Sequence, residues 1–68
     1  MAFYQDIAVD LRKQIIDGVY PKNSRLPNQA ELAKLYTTSR VTIQKALKSL
    51  QIEGLIEGRQ GSGSYVKG

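Results

Sequence analysis

The sequence predicts a mainly α domain, three short helices followed by a small β-hairpin. Apolar residues recur at three- and four-residue spacing in three separate stretches. Gly18, Pro21, Pro27, Gly54, Gly58, Gly61 and Gly63 separate those stretches and leave a Gly-rich end. The third observation is size. A chain of 68 residues forms one domain, residues 1–68, and a domain so short buries only roughly 60% of the surface its unfolded chain exposes. With no Cys and no His, disulfides are impossible and the usual zinc staples are excluded. The fold must hold by packing alone, which favours helices.

The first helix runs from about Phe3 to Gly18. Ile7, Leu11 and Ile15 form its apolar stripe, with Ala8 and Ile16 expected to widen it. Asp6 and Asp10 near the start and Arg12 and Lys13 further on suit the helix dipole, and Gly18 suits the stop. Pro21 prevents the helix from resuming. Leu26-Pro27 forces extended backbone, after which Asn28 is a good N-cap with Glu31 completing a capping-box pattern. Leu32 and Leu35 are expected to face the core, and Thr37-Thr38-Ser39 to end the second helix near Tyr36. Ser39 opens the third helix as N-cap, and Ile43, Ala46, Leu47 and Leu50 form its buried stripe. The opposite face carries Val41, Lys45, Lys48 and Ser49, with Gln44 at its flank and Arg40 and Thr42 in the first turn. After Gly54, Leu55-Ile56-Glu57 and Ser64-Tyr65-Val66 read as two strands joined by an Arg59–Gly63 tip. Tyr4, Tyr20, Tyr36 and Tyr65 are expected to finish the core with their hydroxyls outward.

Composition narrows the function. Apolar residues at 41% and charged residues at 24% make the chain globular rather than disordered. Without Cys or His, thiol chemistry and the commonest general base are gone, and Glu53 and Glu57 have no base or nucleophile beside them, so an enzyme is not expected. No metal or cofactor site is expected. No apolar run approaches the roughly 20 residues of a membrane span, and the first residues lack a secretory pattern, so the expectation is a cytoplasmic protein with no membrane partner. The net charge of +4 favours an anionic partner. Residues 1–38 hold five basic and four acidic side chains, whereas residues 39–68 hold five basic and two acidic. That partner should therefore touch the C-terminal half.

The order of the parts sharpens this. A three-to-four-residue turn between the second and third helices is helix-turn-helix spacing, and the hairpin then stands as a wing. In that arrangement residues 39–53 form a recognition helix that enters the major groove of double-stranded DNA. The wing, residues 57–65, would set Arg59, Gln60, Gly61 and Ser62 on the backbone or in the minor groove. Asn28 and Ser39 are caps first and phosphate ligands second, and Lys45 and Lys48 taken alone are ordinary solubilising charges. The assignment rests on the parts together.

The motifs Tyr4-Gln5-x-Ile7-Ala8, Gly18-x-Tyr20, Arg25-Leu26-Pro27, Glu31-Leu32-Ala33, Ser39-Arg40-x-Thr42, Glu53-Gly54-Leu55-Ile56 and Gln60-Gly61-x-Gly63-Ser64-Tyr65-Val66 carry a family pattern. With these gaps, over almost the whole chain, the sequence resembles the N-terminal winged helix-turn-helix domain of GntR-family bacterial transcription regulators, most closely the HutC-type subfamily. The resemblance implies a homodimeric operator-binding regulator, usually a repressor, released by a small-molecule effector on a separate C-terminal domain. It implies base contact by Arg40, phosphate contact by Ser39 and Thr42, and a wing tip at Gln60 and Gly61. Two positions depart from the pattern. Family members commonly carry Ser-Glu-Arg where this chain has Asn28-Gln29-Ala30, and often Arg where it has Gln44. Two guanidinium groups are thereby missing, so an altered operator is expected, with Gln44 suited to adenine and Val41 to a thymine methyl. A winged-helix protein–protein interaction module is the competing reading. It would place apolar anchors where Lys45 and Lys48 stand.

Overall fold

A computed structural model describes residues 3–59, 61 and 63–67. In chain order it contains α1 (Tyr4–Ile16), α2 (Gln29–Leu35), α3 (Arg40–Ile52), β1 (Ile56–Arg59) and β2 (Gly63–Val66). Helix α3 is central: α1, α2 and β1 all pack against it.

The N-terminal caps follow the sequence. Asn28 Oδ1 accepts the Glu31 N–H at 2.8 Å, and the Asn28 N–H donates to Glu31 Oε1 at 3.2 Å, a complete capping box. Ser39 Oγ accepts the Thr42 N–H at 3.3 Å. The C-terminal ends share one solution. After α1, the Val19 N–H reaches the Gln14 carbonyl and Gly18 has φ 83°. After α3, the Leu55 N–H reaches the Leu50 carbonyl and Gly54 has φ 79°. After α2, the Thr38 N–H reaches the Ala33 carbonyl, but the left-handed residue is Thr37, at φ 52°. All three are Schellman closures, and the one inside the helix-turn-helix places a β-branched residue where the other two use glycine. Left-handed backbone costs a non-glycine residue about 1–2 kcal/mol. Part of that relief would be lost to the greater freedom of an unfolded glycine. Thr37→Gly is therefore expected to stabilise the domain by about 0.5–1 kcal/mol, raising Tm by a few degrees in thermal melts. A lowered Tm would contradict it.

The core comprises Ile7, Ala8 and Leu11 from α1, Leu26, Leu32 and Ala33 around α2, Ile43, Ala46, Leu47 and Leu50 from α3, and Ile56 and Val66 from the hairpin. Two core expectations are corrected. Ile16 is 71% exposed and Leu35 is 65% exposed. At about 100° per residue, Ile16 lies roughly 140° from the centre of the Ile7–Leu11–Ile15 stripe. Leu35 lies roughly 110° from the centre of the arc that Leu32, Ala33 and Tyr36 share. Leu26 is buried at 1% exposure and occupies core space beside α2.

The hairpin also differs from expectation. Leu55 closes α3 and lies outside the strand, whereas β1 continues to Arg59 and β2 begins at Gly63, with Arg59 opposite Gly63. The turn is thus shorter than the expected Arg59–Gly63 tip. A third extended segment flanks β2. The Asn23 N–H donates to the Val66 carbonyl, the Val66 N–H to the Ser24 carbonyl and the Leu26 N–H to the Ser64 carbonyl, each at 2.9 Å. This clamps the wing root to the approach to α2.

Polar ties complete the packing. Arg12 pairs with Glu53 at 2.8 Å, joining α1 to the end of α3. The Tyr36 hydroxyl donates to Asp10 Oδ2 and accepts from Gln14 Nε2, joining the end of α2 to α1. Burial, followed by the neighbouring Asp10 carboxylate, pushes the Tyr36 phenol well above its ordinary range.

Candidate nucleic-acid interface

The outward face of α3 carries Arg40, Val41, Gln44, Lys45 and Lys48, all exposed, with Thr42 and Ser49 half-buried at its edges. The buried stripe Ile43–Ala46–Leu47–Leu50 fixes this orientation, because turning α3 would expose four apolar side chains. No acidic residue lies within α3. Among the described residues Arg40, Lys45 and Lys48 enter no ion pair, while Arg12 and Arg59 do.

Charge placement separates α3 from its neighbours. Helices α1 and α2 carry acid in the first turn and base in the last, as the dipole favours. Helix α3 has neither, and Arg40 instead stands at its positive end. Arg40 thus gains nothing from the helix dipole, and an external anion is a partner it suits.

The wing lies beside this face. A shallow groove is bounded by Asn28, Gln29 and Ala30 at the start of α2, Arg40 on α3, and Gly61 and Gly63 on the wing. A second depression runs along α3 itself past Val41, Gln44, Lys45 and Lys48, with Tyr4 and Ile52 at its margins. A hydrogen bond from Gln44 Nε2 to Gln29 Oε1, 3.1 Å long, bridges the two.

The structure thus brings Asn28, Gln29, Arg40, Val41, Gln44, Lys45, Lys48 and Gly61 onto adjoining surfaces. Ser39 and Thr42 lie together at the start of α3, their hydroxyls 3.1 Å apart. Arg59 sits on β1 rather than in the turn. Its guanidinium stacks over the Tyr65 ring, 4.1 Å from the centroid, and pairs with Glu57 at 3.0 Å. Gln60 and Ser62 lie outside the described residues. Sequence reasoning missed Arg25, which borders the groove with its Nε 3.3 Å from where a Cβ on Gly63 would stand. The φ of 109° favours glycine there, whereas the Arg25 side chain could yield by a few tenths of an ångström to a Cβ. It also missed Tyr4 and Ile52. The Leu26-Pro27 signal for extended backbone was the available hint for Arg25, since that backbone pairs with β2. Among the described residues no group of His, Cys, Asp and Glu could hold a metal, and no helix is long and apolar enough to cross a membrane.

Three helices, a tight turn before an exposed third helix, and an antiparallel hairpin beside it define a winged helix-turn-helix. Residues 3–66 match the family described as bacterial regulatory proteins, gntR family. The chain belongs to that family. It is 36% identical over 63 residues to the HTH-type transcriptional regulator GmuR of Bacillus subtilis, covering 93% of this chain and 27% of that protein. It is 38% identical over 64 residues to the histidine utilization repressor of Klebsiella aerogenes, covering 94% and 27%. The chain thus spans about a quarter of the length of these curated relatives. Among solved structures, AraR(DBD) in complex with operator ORX1 superposes with a TM-score of 0.92 at 29% identity, covering 97% of this chain and 80% of that one. Streptococcus agalactiae GntR superposes with a TM-score of 0.83 at 37% identity, covering 96% and 31%.

Proposed function

We propose that this domain binds double-stranded operator DNA sequence-specifically, as the DNA-reading part of a GntR-type transcriptional repressor. The observation that carries this is the cationic face of α3, outside any ion pair among the described residues and flanked by the wing. A helix of this diameter fits a major groove about 12 Å wide. Arg40 and Gln44 stand where base edges would pass, with Val41 beside them. Ser39, Thr42, Lys45 and Lys48 meet phosphates, and the wing residues Arg59, Gln60, Gly61 and Ser62 brace the backbone or minor groove. Asn28 and Gln29 approach from the start of α2. The superposition on AraR(DBD), solved in complex with an operator, supports DNA as the partner. In the complete protein the domain works in the cytoplasm as one half of a homodimer, with a small-molecule effector bound outside residues 1–68. The relatives are transcriptional regulators, which supports a non-enzymatic role.

Fluorescence anisotropy against random duplex DNA across a salt series tests the reading. Three to six phosphate contacts give a log–log slope of roughly −3 to −5. No slope would instead indicate a protein-docking module. Lys48→Ala is expected to weaken binding to all sequences alike and to reduce the slope by about one. A change confined to one operator sequence would assign Lys48 to base reading instead.

A further inference from the structure

We infer that Gln29 is a positioning residue for base reading, holding the Gln44 amide so that one base pair is selected by the pair of glutamines jointly. This rests on the proposed DNA-binding function. Gln44 is exposed on the outward face of α3 and Gln29 is the exposed first residue of α2, so neither amide is held by packing. The 3.1 Å hydrogen bond between them is what fixes the Gln44 side chain. It uses one of the two Nε2 hydrogens. The second N–H and Oε1 remain available on the same amide. That donor–acceptor pair matches adenine in the major groove, where N7 accepts and the N6 amino group donates. A freely rotating amide would present either polarity, and thereby accept several bases at a similar cost. Gln29 thus contributes selectivity through Gln44, and it lines the groove shared with Arg40.

The test uses sites selected from a random duplex pool, each then carried through all four base pairs at every position. Gln44→Ala locates the base pair that Gln44 reads, as the position where the preference flattens. Gln29→Met keeps side-chain length but offers no acceptor. It is expected to reduce the preference at that same base pair from about tenfold to below about threefold, with Tm unchanged. Gln29→Glu keeps the acceptor. It is expected to weaken binding to every sequence, since it adds negative charge, while retaining the preference. An unchanged preference in Gln29→Met, a change at a different base pair only, or a loss of preference in Gln29→Glu would overturn the inference. Absence of binding to any duplex by the unsubstituted protein would instead overturn the DNA-binding reading itself.

Discussion

Arg40→Ala is expected to cost about 1–3 kcal/mol of operator affinity and to relax the preference at one base pair, while leaving the fold intact. Arg40 is the first residue of α3, exposed, outside any ion pair among the described residues, and bordering the groove beside the wing. Its planar fork suits bidentate contact with guanine O6 and N7. A cation at the positive end of a helix opposes the dipole, so alanine there relieves repulsion and raises helix propensity. Stability should therefore stay level or rise as affinity falls, and this opposition of signs separates a binding role from a structural one. Arg40→Lys keeps the charge but loses the fork. It should retain binding to random duplex and lose the preference. Anisotropy against each base substitution, beside a thermal melt, reads all of these quantities. Unchanged affinity and unchanged preference in Arg40→Ala would remove the assigned role.

Leu50→Ala should be the most damaging core substitution for its size, at about 2–5 kcal/mol. Leu50 is fully buried on α3, the element that contacts α1, α2 and β1, and its carbonyl closes the helix onto the Leu55 N–H. A domain of this length has about 3–10 kcal/mol of total stability. The substitution would consume a large part of it, and without disulfide or metal staples nothing offsets the loss. Urea unfolding should show a lowered midpoint, and any loss of DNA binding should follow the unfolded fraction. A loss below about 1 kcal/mol would mean that the cavity collapses and that α3 is not the keystone of the core.

The helix-turn-helix was readable because its signals are local. Asn28 with Glu31, Ser39 with Thr42, and the Ile43–Ala46–Leu47–Leu50 stripe each act within one or two turns, and the structure shows all three. The stripe also set the outward face by exclusion, which placed Arg40, Gln44, Lys45 and Lys48 together. The two short apolar runs at Ile56 and Val66 on either side of the Gly-containing tip located the hairpin, though not its length.

Other features needed the assembled fold. Ile16 and Leu35 are as apolar as the residues that are buried, and their helical angles set them off the stripe without fixing how wide the buried face is. The neighbouring elements decide how wide that face is, and Leu26 and Tyr36 pack into the core from outside the helical stripes. The pairing of residues 23–26 with β2, the approach of Arg25 to Gly63 and the Gln29–Gln44 bridge join residues far apart in the chain. Short-range chemistry writes caps, periods and turns into neighbouring residues, whereas contacts between distant segments depend on how the elements dock, and no single segment encodes that.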